Sequence, residues 1–158
     1  MPALMKYAVV ERERRYLLAS LPADVTNPVL ITDRYVIGTR LRLRELTEPD
    51  GHVVRKLTHK VRLTEGPAAV ASTNFYLDES EWSLLSALPA RLLRKARYTA
   101  NHVGVQIAID EYPDGTLVAE IDDGDRTPQD LPDWLDVIED VTNDERWTGA
   151  HLAHIEPG

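Results

Sequence analysis

In several segments of this chain, charged residues alternate with apolar ones, so that successive charges lie two positions apart. Within residues 40–44, three arginines alternate with two leucines. Because side chains along a β-strand point alternately to opposite faces, this spacing places the arginines on one face and the leucines on the other. The same spacing recurs in four further segments: Lys56, Thr58, Lys60 and Arg62, where a threonine takes one place of the row; Lys95 and Arg97; Glu11 and Glu13; Glu120 and Asp122. The pattern predicts strands whose polar faces each carry one sign of charge.

Seven segments are predicted to be strands, and they are separated by Pro, Gly, Asn and Asp turn signals. We place them at residues 7–19, 30–44, 53–63, 71–77, 92–98, 104–112 and 116–122. One helix is predicted over 79–88, where Asp78 and Glu81 have capping-box spacing. A second is predicted over 146–153, and residues 124–136 are predicted to loop over the surface. Residues 1–158 are therefore interpreted as a single α+β domain with an antiparallel sheet.

Composition restricts the class of protein. The 158 residues carry a net charge of −8, which argues against a DNA-binding protein. There are no cysteines, which excludes disulfides and thiolate metal sites. No apolar run approaches the length of a membrane span and no signal peptide is recognised, so we expect a cytoplasmic protein without a membrane partner. Oligomeric state is left open.

The acidic residues are unevenly distributed. Residues 120–145 contain eleven carboxylates and one arginine, so the rest of the chain is mildly basic. We expect this acidic run to be a solvated loop followed by a helix start. The basic remainder is compatible with an anionic ligand.

Two interpretations of the one-sign strands stay open. The simpler one is a sheet whose charged face is exposed to water. However, like charges two positions apart repel each other, and five such sets in one sheet are understandable if a ligand neutralises them. If the charged faces point inward, the basic strands would surround a polyanion, and the carboxylates would hold a hard cation such as Mg²⁺ or Mn²⁺.

The order of these motifs resembles that of the CYTH domains, also called triphosphate tunnel metalloenzymes. Glu11-x-Glu13-x-Arg15 is similar to the family's opening Glu-x-Glu-x-Lys motif, and the similarity continues in order to about Leu152. The later matches are Arg42 and Arg44 for Arg-x-Arg, Lys60 for the tunnel lysine, Lys95 and Arg97 for Lys-x-Arg, Asp110 for Asp-x-Phe, Glu120 and Asp122 for Glu-x-Glu, and residues 140–142 for the closing Glu-Val-Thr helix start.

The resemblance implies a fold, a site and a reaction. The expected fold is an eight-stranded antiparallel β tunnel, or barrel, with flanking helices. The expected ligand is a small molecule containing a triphosphate, and the cofactor Mg²⁺ or Mn²⁺. Carried over by position, the catalytic residues are Glu11, Glu13 and Arg15. The expected metal ligands are Glu11, Glu13, Glu120 and Asp122, and the expected substrate-binding residues are Arg42, Arg44, Lys60, Lys95 and Arg97.

Three positions depart from the family pattern. Arg15 replaces the lysine of the opening motif, which exchanges a compact ammonium for a planar guanidinium. Asp122 and Asp140 each replace a glutamate. Residues 72–76 read Ser-Thr-Asn-Phe-Tyr where many triphosphatases carry Arg-x-Glu-Tyr-Glu, so this strand has no carboxylate.

The leading hypothesis is metal-dependent hydrolysis of inorganic tripolyphosphate or a small organic triphosphate. The alternatives are an adenylate cyclase-type activity and a module that binds a triphosphate or polyphosphate without turnover. The five histidines show no metal-ligand spacing, which disfavours zinc. Two roles stay open for Asp110: a metal or lysine partner inside the tunnel, or the counter-ion of Lys95 and Arg97.

Overall fold

Eight strands of the chain close into an antiparallel barrel, and a ninth strand pairs outside the ring. The computed structural model describes residues 5–154. The strands are β1 (Val9–Leu18), β2 (Val29–Val36), β3 (Leu41–Thr47), β4 (Val53–Arg62), β5 (Ala69–Tyr76), β6 (Ala90–His102), β7 (Val105–Glu111), β8 (Leu117–Asp122) and β9 (Val137–Asp140). The helices are α1 (Glu79–Leu85), a 3-10 helix over Glu145–Trp147, and α2 (Gly149–Leu152). The predicted eight-stranded antiparallel barrel is confirmed.

Barrel closure depends on β1. The strands follow the order β5-β4-β3-β2-β6-β7-β8-β1, and β1 returns to pair with β5. One edge of β1 pairs with β8, while the other edge pairs first with β5 and then with β9. Because β5 takes only the first part of that edge, β9 satisfies the backbone groups of the second part.

Three element predictions are corrected by the structure. The strand predicted over 30–44 is two strands, joined by a turn at residues 37–40 in which Gly38 has a φ of 77°. β9 lies within the stretch predicted to be a solvated loop and helix start, so Asp140 ends a strand and does not begin a helix. The second predicted helix is interrupted at Thr148, whose extended backbone separates the 3-10 helix from α2.

The largest apolar cluster lies outside the barrel wall. Tyr16, Ile109 and Ile121 point outward from β1, β7 and β8 and are buried against Leu135 and the partly buried Leu131. Segment 124–136 is thus irregular, as predicted, but part of it covers the barrel. Since the apolar faces of these strands pack outward, their alternating polar faces must point into the barrel.

A second apolar cluster fills one end of the interior. Leu93, Tyr112 and Val118 pack there with Trp147 and Ala153. A bridge between Leu92 and His154 anchors the C-terminal segment, defined as residues 145–154, to β6. No helix among residues 5–154 has the length and apolarity needed to cross a membrane.

Candidate functional site

The barrel interior, called the tunnel below, contains a cavity of about 490 Å³. Nine basic and four acidic residues line it, an excess of five positive charges. All ten residues predicted for the site are among them: Glu11, Glu13, Arg15, Arg42, Arg44, Lys60, Lys95, Arg97, Glu120 and Asp122. Of the two interpretations of the one-sign strands, the inward-facing one is therefore correct.

β3 and β4 form the most basic side of the tunnel. We call this side the β3–β4 wall. It consists of the neutral Thr58 and six basic residues, of which Arg40 lies just before β3: Arg40, Arg42, Arg44, Lys56, Lys60 and Arg62. The antiparallel register sets Arg44 opposite Lys56 and Arg42 opposite Thr58. Neighbouring like charges repel, so this arrangement requires negative charge from elsewhere.

A buried carboxylate on β2 fixes the centre of that wall. Asp33 is fully buried and accepts two hydrogen bonds from Arg44, at 2.6 and 2.8 Å. Burial by itself would raise the pKa of Asp33, but the charge and hydrogen bonds of Arg44 lower it to about 2. Asp33 therefore stays ionised and holds the Arg44 guanidinium in one orientation.

Asp110 on β7 has the same role on the opposite side. It binds Arg97 through two hydrogen bonds of 2.7 and 2.8 Å, and Lys95 lies 2.8 Å away. Burial opposes ionisation, but Lys95 and Arg97 lower the pKa of Asp110. Burial also lowers the pKa of Lys95, which Asp110 partly counteracts. Of the two roles left open for Asp110, the structure shows the counter-ion role.

Two carboxylates meet at Arg15. Its guanidinium lies 2.5 Å from Glu13 and 3.4 Å from Glu120, which also contacts Arg97 at 3.5 Å. Burial, and then the charge of Glu120, raise the pKa of Glu13. The pKa of Glu120 is lowered, because Lys95, Arg97 and Arg15 outweigh its burial and the charge of Asp110. Glu13 and Glu120 are thus two carboxylates that share one guanidinium.

The other two predicted metal ligands are engaged elsewhere. Glu11 forms an ion pair with Lys60 at 3.3 Å. Asp122 accepts hydrogen bonds from the backbone N–H groups of Arg12 and Gly124. Within residues 5–154, no three His, Cys, Asp or Glu side chains are grouped so that they could hold a metal ion. The four predicted carboxylates thus line one cavity without converging on one point.

Several buried donors on residues that line the tunnel have no partner in the described part of the chain. These are Arg15 Nη1, Arg42 Nε and Ser72 Oγ, all buried. Thr58 accepts a hydrogen bond from Arg42 and donates one to Asn74, so this neutral part of the wall is already satisfied. Unsatisfied buried donors are costly, and an anion with several oxygen acceptors would satisfy them.

The sequence interpretation did not assign a site role to Lys56 or Asp33. The signal for Lys56 was present, since it continues the period-two row of Lys60 and Arg62. Asp33 gave no such signal, because one acid between polar and apolar strand residues does not reveal its cross-strand partner. Arg62, expected to extend the basic row, forms an ion pair with Glu145 of the C-terminal segment.

Comparison with known proteins supports the fold only. No family model matches the chain, and no curated protein matches it. Among solved structures, the PH1012 protein of Pyrococcus horikoshii OT3 is similar, with 12% identity and a TM-score of 0.53 over 71% of this chain and 77% of that one. A conserved hypothetical protein from Pyrococcus furiosus, Pfu-838710-001, is also similar, with 15% identity and a TM-score of 0.52. That match covers 77% of this chain and 81% of the Pyrococcus furiosus chain. At these identities the likeness establishes a shared architecture.

Proposed function

We propose that the tunnel binds a triphosphate chain and hydrolyses its terminal phosphoanhydride in the presence of Mg²⁺ or Mn²⁺. The observation that carries this proposal is a cavity whose lining has five more basic than acidic residues, an excess that is still three when Asp33 and Asp110 behind the lining are counted, together with three buried donors that lack partners among the described residues. A phosphate chain supplies both missing features, since it carries several negative charges and many acceptor oxygens.

The chain's own residues suit phosphoryl transfer. That reaction depends on positioning and charge neutralisation more than on covalent chemistry. Arg42 and Arg44 present guanidinium groups from one strand, and such groups bind phosphate oxygens in pairs. Arg15 lines the same cavity from β1, and its buried Nη1 has no hydrogen-bond partner among the described residues. The phosphate chain would thus be held between two basic surfaces, with the scissile group beside Glu13 and Glu120.

The donor set fits a single hard cation. Mg²⁺ uses oxygen ligands and commonly combines one or two carboxylates with substrate phosphates. Glu13 and Glu120 supply such a pair, and the pKa of Glu13 is raised first by burial and then by the charge of Glu120, which a cation would counteract. These two residues would hold the ion. Glu11 on β1 and Asp122 on β8 line the same cavity but are engaged by other partners. When bound, the ion would polarise the phosphoryl group under attack.

A second candidate is a module that binds the phosphate chain without cutting it. It is favoured by the position of Arg15, whose guanidinium already contacts both Glu13 and Glu120. The inward positions of β5 are the neutral residues Val70, Ser72 and Asn74, so β5 adds no carboxylate. In this candidate, Arg15 permanently replaces the metal as counter-ion of the carboxylate pair.

Product release separates the two candidates. Tripolyphosphate and ATP are incubated with the protein and Mg²⁺, Mn²⁺ or a chelator, and phosphate, pyrophosphate and cyclic AMP are all measured. We expect metal-dependent phosphate release from tripolyphosphate. Cyclic AMP with pyrophosphate would instead indicate a cyclase, and tripolyphosphate binding without any product would indicate the binding module.

Glu13→Gln tests the residue assignment. It removes one of the two converging carboxylates and is expected to reduce turnover at least 100-fold, a loss typical of removing a group that stabilises the transition state. Glu139→Gln, on the exposed strand β9, makes the same chemical change outside the tunnel and serves as the matched control. Unchanged turnover in Glu13→Gln would remove Glu13 from the mechanism.

A further inference from the structure

The four lysines of the chain lie in different environments. Lys6 is exposed and does not line the tunnel. Lys95 and Lys60 line the tunnel, and each amine is held by a carboxylate, at 2.8 and 3.3 Å respectively. Lys56 also lines the tunnel but forms no ion pair or hydrogen bond among residues 5–154. Within that range, Lys56 is the one tunnel amine that no carboxylate holds.

The groups around Lys56 disfavour its charged form. Burial, followed by the charges of Arg44 and Arg42, lowers the pKa of Lys56 to about 8. Lys60 and Arg97 act in the same direction, so the charges that face this amine from β3, β4 and β6 are all positive. A lysine that is partly desolvated beside other cations is a nucleophile near neutral pH, because its neutral amine is well populated.

An anion-binding group lies directly beside this amine. Lys56 is opposite Arg44, and opposite residues of neighbouring antiparallel strands have Cβ atoms about 4.5–5.5 Å apart. Asp33 fixes the Arg44 guanidinium, and Arg42 on the same strand has a buried Nε without a partner in the described part of the chain. A single phosphate group held by these two arginines lies within a few bond lengths of the Lys56 amine.

Lys56 lies away from the end of the tunnel that the C-terminal segment contacts. That segment meets β4 at Arg62, through Glu145. At about 3.3 Å per residue, Lys56 is about 20 Å farther along the strand. It is opposite Tyr76, the exposed last residue of β5, on its other side. The amine is therefore near the opposite end of the tunnel, where a small molecule can enter.

We propose that the tunnel is a covalent site for small aldehydes that carry a phosphate group, with Lys56 as the nucleophile that binds them as a reversible imine. Arg42 and Arg44 hold the phosphate, and the Lys56 Nζ attacks the aldehyde carbon. The carbonyl oxygen leaves as water together with the two amine hydrogens. A C=N bond thus replaces the C=O bond, and nothing is oxidised or reduced.

The proposed imine uses one phosphate group and needs neither a phosphoanhydride nor a metal ion. It is therefore an activity beyond the proposed hydrolysis, and it does not depend on that reaction. The bound phosphate also stabilises the imine once it has formed, because its negative charge lies close to the protonated nitrogen.

Borohydride trapping tests the proposal. The protein is incubated at pH 8, in chelator, with pyridoxal 5′-phosphate as the phosphorylated aldehyde. Borohydride then reduces any imine to a stable secondary amine, and peptide mass spectrometry measures the label at each of the four lysines. We expect about tenfold more label at Lys56 than at Lys6, because only Lys56 combines a populated neutral amine with a phosphate anchor. The terminal α-amino group, with an ordinary pKa of about 8, reports the labelling that basicity alone produces.

Two controls test the phosphate anchor. Pyridoxal has the aldehyde but no phosphate, and with it we expect the ratio of label at Lys56 to label at Lys6 to fall about tenfold, as loss of a charge-assisted contact gives. Using this ratio removes the difference in intrinsic reactivity between the two aldehydes. Inorganic phosphate added to the pyridoxal 5′-phosphate reaction should lower the label at Lys56 and leave that at Lys6 unchanged.

Lys56→Arg keeps the positive charge but removes the amine, so the label on β4 should disappear. Lys6→Arg makes the same change outside the tunnel and should leave the label at Lys56 unchanged. The melting temperature shows whether each variant is folded, and the comparison of lysines within the wild-type protein needs no variant.

Two results would overturn the proposal. One is label at Lys56 no greater than at Lys6 or the α-amino group. The other is the same ratio of label at Lys56 to label at Lys6 with pyridoxal as with its phosphate, which would remove the anchor. Absence of tripolyphosphate hydrolysis would defeat the proposed function alone, so the two failures are distinguishable.

Discussion

At the scale of single residues, two buried aspartates organise the tunnel. Asp33 and Asp110 are fully buried, and each binds an arginine through two hydrogen bonds. Both remain ionised because their basic neighbours outweigh the cost of burial. They neutralise part of the basic lining and fix its orientation, leaving the unpaired cations to the ligand.

Replacing Asp33 by Asn is expected to destabilise the protein by about 3 kcal/mol at pH 7, because Arg44 loses its buried counter-charge. The folded pKa of Asp33 is about 2, below its usual value near 3.8, so its contribution is complete above about pH 4 and is lost as the pH falls toward 2. Urea unfolding at pH 7 and across pH 2–4 measures both effects. Asp24→Asn changes an exposed aspartate and should alter neither the stability at pH 7 nor its dependence on pH. Equal effects of the two substitutions would contradict the role of Asp33.

Lys56→Gln is expected to have the opposite effect on the free protein. The folded pKa of Lys56, about 8, lies below its usual value near 10.5, so the charged form is disfavoured by folding. One pKa unit corresponds to about 1.4 kcal/mol, and because Lys56 is partly solvated we expect a gain of about 1 kcal/mol at pH 7. In the wild-type protein, stability should rise between about pH 8 and 10.5, so the advantage of the variant should vanish there. Thermal unfolding at pH 7 and 10 provides the measurement; a less stable variant at pH 7 would show that Lys56 has a favourable partner.

At the scale of elements, the main surprises are β9 and the C-terminal segment. β9 is four exposed residues in an acidic stretch, and it forms because β1 has an open edge beyond the end of β5. The C-terminal segment packs on the tunnel end through Trp147, Leu152 and Ala153. Its close approach to the barrel requires a glycine at residue 149.

Gly149→Ala tests that close approach. A Cβ atom at residue 149 would lie 2.0 Å from the Tyr35 hydroxyl oxygen and 3.0 Å from its ring carbon Cζ. We expect a loss of about 1–3 kcal/mol from overpacking, although alanine is the better helix former. The measurement is urea unfolding. Tyr35→Phe in the same chain should restore part of the loss by removing the oxygen, whereas no loss in Gly149→Ala would show that the segment can shift freely.

At the scale of the whole molecule, the charge that lines the tunnel has the opposite sign to the net charge of the chain. The chain has a net charge of −8, yet the tunnel lining has an excess of five positive charges. The acidic residues of 120–145 lie largely outside the barrel, whereas the basic strand faces point inward. Because the tunnel is already cationic, anion binding should not require a metal ion.

Tripolyphosphate in chelator is therefore expected to raise the melting temperature. At 100 times its Kd, a ligand that binds only the folded state adds about 2.7 kcal/mol of stability. The shift should shrink as NaCl is added, since salt screens charges that water can reach. Sodium chloride of matched ionic strength, without tripolyphosphate, is the control. A shift seen only with Mg²⁺ would mean that the metal bridges the anion to the protein.

The sequence predicted some features of the fold and of the site and missed others, for identifiable physical reasons. The period-two charge pattern located most of the barrel strands, because alternation is a local property of a strand. It missed the turn at Gly38, since the surrounding Val36, Ile37 and Thr39 continue a strand-like run. Capping-box spacing at Asp78 correctly marked the start of α1, and the N-cap hydrogen bonds are present. The length of the second helix was overestimated, because the residue spacing within a single helical turn does not reveal the extended backbone at Thr148.

For this protein, local sequence determined which side chains share a face and which sign of charge each face carries. Tertiary structure alone decided that those faces point inward, because the apolar surfaces of β1, β7 and β8 are covered from outside by segment 124–136. It also decided which cations are neutralised, since pairs such as Arg44–Asp33 and Arg97–Asp110 form across strands. Electrostatic partners depend on distances between residues far apart in the chain, and local spacing carries no information about them.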